Sequence, residues 1–256
     1  MTSVNRKTYL VVGGANGIGA EISRLLSSEG HTVLITDIDG AALSEMATEL
    51  RIPSTMIHKV DVRSKVEVER AIQQIRECEQ MIDGVVYVAG VLKLGGVLTI
   101  TDDDWTESFD VNVKGLFHIA RATIPLFAKG GGSFVTIASN ASKLPRMNMG
   151  AYSPSKAAAT MVTKCLGLEL ASSKIRCNIV HPGSTKTNML TQMHSHSGFY
   201  DELISGSLDH YKTGIPLQKV ADARDIAGIV SFLLSDQAGH ITMQELCVDG
   251  GATLGV

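Results

Sequence analysis

The sequence predicts an α/β protein: a single-domain, doubly wound parallel sheet of about seven strands with helices on both faces. Three observations predict it. Short, continuously apolar runs alternate with longer segments of helical character, the pattern of strands buried on both faces. A glycine-rich turn, Gly13-Gly14-Ala15-Asn16-Gly17-Ile18-Gly19, joins the first run to the first helix. The residues that end the runs, Gly13, Asp37, Asp61, Gly90, Ser139 and Pro182, fall at the carboxyl edge of the expected sheet, where such folds bind ligands. No linker, charge block or internal repeat divides the 256 residues, so one domain is expected over 1–256, with its first half as far as about residue 130.

Each element has a local reason. Tyr9-Leu10-Val11-Val12 reads as a buried strand ending at Gly13-Gly14. A helix over 17–29 follows and Gly30 stops it, since glycine suits the position past a helix end. Thr32-Val33-Leu34-Ile35-Thr36 is a second strand with Asp37 at its carboxyl end. Residues 41–50 are helical, 55–60 form a third strand closed by Asp61, and 64–80 are helical. Gly84-Val85-Val86-Tyr87-Val88 is a fourth strand running into Ala89-Gly90. One long helix is expected over 103–128, with Thr101 and Asp104 resembling a capping box. Residues 133–138 form a fifth strand. Pro154 is tolerated only in a first turn, so the next helix starts near Tyr152 and runs to about 172. A sixth strand over 175–180 is cut by Pro182-Gly183, a helix covers 222–234, and Leu246-Cys247-Val248 is the last strand.

The net charge of −3 and pI near 6.2 argue against a nucleic-acid or anionic-membrane surface, which needs a basic stripe. Cys78, Cys165, Cys177 and Cys247 show neither C-x-x-C nor zinc-site spacing, and three lie in apolar segments where a reduced, buried thiol is usual. That points to a reducing cytoplasm. Residues 1–8 are short and polar, and the apolar stretch 9–12 is too short for a signal or membrane segment. No metal is expected. His194-x-His196 lacks a third ligand at recognisable spacing, and Asp102-Asp103-Asp104 is explained by a helix N-terminus.

The glycine turn permits close backbone approach to a pyrophosphate resting on the helix N-terminus. A carboxylate at Asp37 accepts hydrogen bonds from adenosine ribose hydroxyls and repels a 2′-phosphate. Positions 14–20 and 38–40 hold no Arg or Lys, so the expected cofactor is NAD rather than NADP. Asp61, at the end of the third strand, is expected against the adenine ring.

Tyr152 and Lys156 lie four residues apart, one turn along the same helix face. Two unit charges about 4 Å apart interact by roughly 4 kcal/mol at an effective dielectric near 20. One pKa unit is about 1.4 kcal/mol, so a phenol near 10 is expected to fall to roughly 7, where a general base is useful.

Gly13-x-x-x-Gly17-x-Gly19, Asp61, Ala89-Gly90, Asn112, Ser139, Tyr152-x-x-x-Lys156 and Pro182-Gly183 stand in this order and together resemble the short-chain dehydrogenase/reductase family over nearly the whole chain. The resemblance implies a Rossmann-type fold and a catalytic tetrad of Asn112, Ser139, Tyr152 and Lys156. Tyr152 is then the base. Lys156 lowers its pKa and holds the nicotinamide ribose. Ser139 binds the substrate oxygen, and Asn112 holds a water linking Lys156 to solvent, with a helix kink in the apolar pattern over 109–117 as the alternative for Asn112. The implied cofactor contacts run from Gly13, Asn16, Gly17, Ile18 and Gly19 through Asp37, Asp61 and Val62 to Ala89 and Gly90. They end with Tyr152, Lys156, Pro182, Gly183 and Thr185. Two positions depart from the family: Val12 stands where it usually has Thr, and Tyr87-Val88 where it commonly has Asn-Asn.

A narrower likeness lies mainly in the carboxyl-terminal third. Ser139-Asn140-Ala141, Pro145-Arg146, Gly214-Ile215-Pro216-Leu217 and Val248-Asp249-Gly250-Gly251-Ala252-Thr253-Leu254-Gly255-Val256 resemble a subgroup, the 2,3-dihydro-2,3-dihydroxybenzoate dehydrogenases of catechol siderophore biosynthesis. That likeness implies a carboxylated cyclohexadiene diol as substrate, a homotetramer, and a substrate lid near 187–212, with catalytic and substrate elements over about 131–256. A carboxylate suits a cationic fork, and Arg146, between Ser139 and Tyr152, is a candidate for it, set against an ordinary solvated loop arginine. His181 is expected to pack at the strand end, with the site as its alternative surrounding. Met147, Met149, Met189 and Met193 flank the expected substrate site. The competing readings are a dehydrogenase for another cyclic alcohol, a 3-oxoacyl reductase, and a dinucleotide sensor without catalysis. Asp37 weighs against the reductase, and the complete tetrad against the sensor.

Overall fold

The computed structural model describes residues 6–78, 81–191 and 198–256. Seven parallel strands form one sheet in the order β3-β2-β1-β4-β5-β6-β7. They are β1 (Thr8–Val12), β2 (Thr32–Asp37), β3 (Ile57–Lys59), β4 (Gly84–Tyr87), β5 (Gly132–Ile137), β6 (Ile175–Pro182) and β7 (Glu245–Val248). Alternate residues of β1 enter different cores. Leu10 and Val12 pack on one face with helices α3 (Lys65–Glu77), α5 (Leu116–Thr123) and α6 (Tyr152–Glu169). Tyr9 and Val11 pack on the other with α1 (Gly17–Ser28), α2 (Gly40–Leu50) and α9 (Ala223–Leu234). Each fully buried Val, Leu or Ile side chain stabilises the fold by about 1.5–3 kcal/mol, so burial on both faces explains why these strands carry no polar alternation.

Strand order reverses at β1, which pairs with β2 on one side and β4 on the other. The expected ligand crevice opens there, beyond the carboxyl ends. Several expectations are corrected. The long helix is broken: α4 (Asp102–Phe109) passes into a π-helical turn (Asp110–Gly115) before α5. Tyr87, the departure noted above, reaches this turn. Its buried hydroxyl donates to the Val111 carbonyl at 2.5 Å, satisfying backbone inside the widened turn. Short helices α7 (Asn188–Thr191) and α8 (Phe199–Ser205) were not legible in the sequence pattern. At Thr101 the side chain accepts from the Asp104 amide at 3.1 Å, but the reciprocal capping box is at Asp222 and Asp225 instead. Cys177 alone is fully buried; Cys78 and Cys165 are exposed. Among the described residues no helix is long and apolar enough to cross a membrane, and no cluster of metal-ligating side chains occurs. His194, His196 and Met193 lie outside the described residues.

Candidate active site

A cavity of about 440 Å³ runs along the carboxyl edge of the sheet. At one end the glycine turn is pinned to β2, Gly13 and Gly14 donating to the Thr36 carbonyl at 2.7 and 3.1 Å. Gly19 packs against this turn so closely that a Cβ there would lie 1.9 Å from the Gly13 carbonyl oxygen. Gly19 therefore shapes the turn and does not line the cavity, in contrast to Gly13, Asn16, Gly17 and Ile18, which do. Asn16 caps α1 with its backbone only. The first-turn amides of α1 thus have no side-chain acceptor from the cap, which is the donor set a phosphate group requires.

Asp37 is buried at the cavity wall and its two oxygens accept from Ala15 N at 3.0 Å and Asp39 N at 3.1 Å. It both orders the turn and presents a carboxylate. Asp61 lines the same end beside Val62, with its carboxylate gripped by Arg63 (Nη2–Oδ2 2.7 Å, Nε–Oδ1 3.0 Å). That pairing holds the Asp61 carboxyl below its ordinary range and occupies the Arg63 guanidinium. Ala89, Gly90, Pro182, Gly183 and Thr185 also line the cavity.

Tyr152 and Lys156 reach the cavity from the first turns of α6, and Ser139 from the end of β5. Burial pushes the Tyr152 phenol up, while a hydrogen bond with Ser139 pulls it down. Burial pulls the Lys156 ammonium down to about 8. Burial therefore disfavours the expected phenolate. The Lys156 Nζ lies 5.9 Å from the Tyr152 ring centroid and donates to the Ile137 carbonyl at 3.0 Å, and desolvation opposes the charge of both groups.

Asn112 is not on the cavity wall. Its side chain clasps the Val91 backbone, accepting from N at 2.9 Å and donating to O at 3.1 Å, and donates to Ser155 Oγ at 2.9 Å. Ser155 in turn donates to the Tyr152 carbonyl at 2.8 Å, so the π-helical turn is tied to the start of α6. Gly90 keeps open the space between the two functional side chains: a Cβ there would lie 2.9 Å from Lys156 Nζ and 3.1 Å from Asn112 Oδ1.

His181 faces away from the cavity and supports Ser139 from behind. Its Nδ1 lies 2.8 Å from the Ser139 carbonyl and 2.9 Å from Ser142 Oγ, and its Nε2 lies 3.0 Å from Glu245 Oε2. Burial pulls its pKa down against the attraction of Glu245. Strand-end packing is thus the right reading, with a polar role added. Arg146 does line the cavity, half-buried, as does Met149. Met189 of α7 lines it too, whereas Met147 is exposed and off the wall. Sequence reasoning missed Val91, Leu92, Lys212 and Ile215 on the wall. Gly214-Ile215-Pro216-Leu217 was a signal for the last, but no local pattern marks Lys212.

The family model described as enoyl-(acyl carrier protein) reductase matches residues 13–253. A 2,3-dihydro-2,3-dihydroxybenzoate dehydrogenase of Bacillus subtilis is 43% identical over 256 residues, covering 99% of this chain and 98% of that protein. A vibriobactin-specific 2,3-dihydro-2,3-dihydroxybenzoate dehydrogenase of Vibrio cholerae is 39% identical over 99% of this chain and 98% of its own length. Among solved structures, a short-chain type dehydrogenase/reductase from Mycobacterium ulcerans superposes with a TM-score of 0.88 at 27% identity, covering 99% of this chain and 92% of that one. A 7α-hydroxysteroid dehydrogenase complexed with NADH and 7-oxo glycochenodeoxycholic acid gives 0.86 at 25% identity, covering 96% of this chain and 94% of that one.

Proposed function

Since the chain belongs to the short-chain dehydrogenase/reductase family of oxidoreductases, we propose that it oxidises 2,3-dihydro-2,3-dihydroxybenzoate to 2,3-dihydroxybenzoate with NAD, in catechol siderophore biosynthesis. The observation that carries this reading is Ser139, Tyr152 and Lys156 on one cavity wall that continues to the open first turn of α1. Full-length likeness to two relatives named for that substrate supports it.

In this reading Tyr152 takes the proton of a ring hydroxyl while Ser139 hydrogen-bonds the same oxygen and steadies the carbonyl that develops. Bound NAD supplies the hydride acceptor, and its positive ring adds to the field that favours the phenolate. Lys156 holds the nicotinamide ribose, and Asn112 sets Lys156 and the start of α6 in register. The first-turn amides of α1 hold the pyrophosphate, Asp37 the adenosine ribose, and Asp61 and Val62 the adenine edge. The ketone formed at ring C3 tautomerises to a catechol, and aromaticity draws the reaction forward. We assign the protein to the cytoplasm and read it as a homotetramer, the latter supported by exposed Trp105, Phe117, Met161 and Leu168 on α4, α5 and α6.

The direct test mixes protein, NAD and the dihydrodiol and follows NADH and catechol absorbance together. Stoichiometric appearance of both is expected; NADH without catechol, or neither, sinks the reading. Asp37→Ala should raise the NAD dissociation constant roughly ten- to a hundredfold, the loss of a charged hydrogen bond of about 1.5–3 kcal/mol. It should also narrow the preference for NAD over NADP. Specificity constants for both cofactors decide this, and a wild type that already prefers NADP contradicts the assignment. Arg146→Ala should lower kcat/KM for the carboxylated diol about ten- to a hundredfold and leave NAD affinity unchanged. An equal loss on a diol without the carboxylate would mean that Arg146 supports only its loop.

A further inference from the structure

The acids on the cavity wall all have partners. Asp37 accepts from two backbone amides, Asp61 is held by Arg63, and Glu107 pairs with Lys93 at 2.7 Å. Two cations on the same wall do not. Arg146 and Lys212 are half-buried, and neither side chain has an ion-pair or hydrogen-bond partner among the described residues. They come from separate segments. Arg146 sits in the loop that the Gly95 amide and carbonyl fix at Asn148 and Gly150, both at 2.9 Å. Lys212 follows α8 and is paired with Ser207 through two backbone hydrogen bonds of 2.9 and 2.8 Å. That segment has a small core of its own, Leu190, Phe199, Ile215 and Val220, so the lysine is carried on a built element.

Each cation feels the cavity. Burial pulls both below their ordinary pKa, and Arg146 lowers Lys212 further. Asp249 attracts Arg146 but is not free to pair with it. Its Oδ2 accepts from Thr253 N at 3.0 Å, Thr253 Oγ1 at 2.8 Å and Asn140 Nδ2 at 3.3 Å, and its Oδ1 accepts from Gly251 N at 3.0 Å. Two like charges drawn out of water into one cavity destabilise each other unless an anion joins them. Ser139 and Tyr152 line the same cavity, so an anion joining the two cations shares a space with that pair.

We propose that Lys212 is a second substrate-specificity residue, which with Arg146 forms a two-cation cradle for the carboxylate of the substrate ring. This rests on the function proposed above. It goes beyond it in making recognition depend on the segment after α8, so that the carboxylate joins that segment to the loop before α6. Cofactor phosphate is the other anion that could fill the cradle, and the test separates the two.

The experiment compares wild type, Lys212→Met, Lys212→Arg and Arg146→Met. For each, kcat/KM is measured with the carboxylated cyclohexadiene diol and with the diol lacking the carboxylate. NAD dissociation constants are measured alongside. Calorimetry then follows binding of 2,3-dihydroxybenzoate and of catechol to the NADH complex. The cradle predicts that Lys212→Met lowers the ratio of specificity constants, carboxylated over uncarboxylated, about tenfold or more, mainly through KM. Lys212→Arg should restore most of that ratio. The methionine variant should also weaken 2,3-dihydroxybenzoate at least tenfold with catechol changed less than twofold. Equal losses on both diols, or an unchanged ratio, overturn the proposal. A weakened NAD dissociation constant with an unchanged ratio overturns it in favour of cofactor phosphate. If wild type oxidises neither diol yet binds 2,3-dihydroxybenzoate in a manner dependent on Lys212 and Arg146, the cradle stands and the proposed reaction falls.

Discussion

Tyr152→Phe is expected to lower turnover of the dihydrodiol by about a hundred- to ten-thousandfold, the range for removal of a positioned proton acceptor. NAD affinity should stay within a few-fold, because the ring is retained. The phenol is buried at the cavity with Ser139 bonded to it, and among the described residues no other tyrosine and no histidine lines that cavity. The pH profile adds a sharper reading. Burial raises the phenol above its ordinary pKa, and the form proposed to act as base is the phenolate. Oxidation by wild type should therefore rise with pH on the alkaline side, and that limb should be absent from the phenylalanine variant. Near-wild-type turnover at neutral pH, or an identical pH profile, would remove Tyr152 from the role of base.

Lys156→Ala is expected to damage two measurements together. Turnover should fall at least a hundredfold and the NAD dissociation constant should rise about tenfold, as expected for loss of a charge-assisted hydrogen bond. The side chain is buried, ties α6 to the end of β5 through Ile137, and stands against Gly90, so one substitution removes a charge, a tether and a wall. Thermal unfolding of the variant separates a lost fold from a lost function. A variant that melts like wild type, binds NAD as tightly and turns over more slowly would retain the field effect and eliminate the ribose contact. Because burial pulls the ammonium down to about 8, its charge is present below that pH and is lost above it. NAD binding measured from about pH 7 to about pH 9 should change with pH in wild type and be flat in the alanine variant.

Much of the cavity end at the glycine turn was readable in advance because its determinants are local. Glycines in one turn, an acid at a strand end and a proline in a first helical turn act on neighbouring backbone, so their spacing carries their meaning. Asp37 and the turn from Gly13 to Gly17 stand where that spacing puts them. The polar support of the catalytic end was not readable, because it is made of contacts between segments distant in the chain. His181 reaches the Ser139 carbonyl, and Asn112 reaches Val91 and Ser155, only after β5, β6, α6 and the π-helical turn have packed. The break between α4 and α5, which the sequence left open only as a kink at Asn112, also rests on a distant contact: Tyr87 meets Val111 across the fold where the helical pattern is continuous in sequence.

By itself the sequence determined the class of fold and the glycine turn between β1 and α1, and it singled out Ser139, Tyr152 and Lys156, which the fold brings to one cavity, since periodicity and motif spacing act over a few residues. Tertiary structure alone decided the protonation balance and the substrate end. Tyr152 and Lys156 share a helix face as expected, yet burial holds both towards their neutral forms, and burial belongs to the packed molecule. Arg146 and Lys212 are far apart in the chain, and only the fold brings two desolvated cations to one cavity. A pairwise charge at helical spacing can be computed from a sequence; the dielectric around it is set by every element that closes over it.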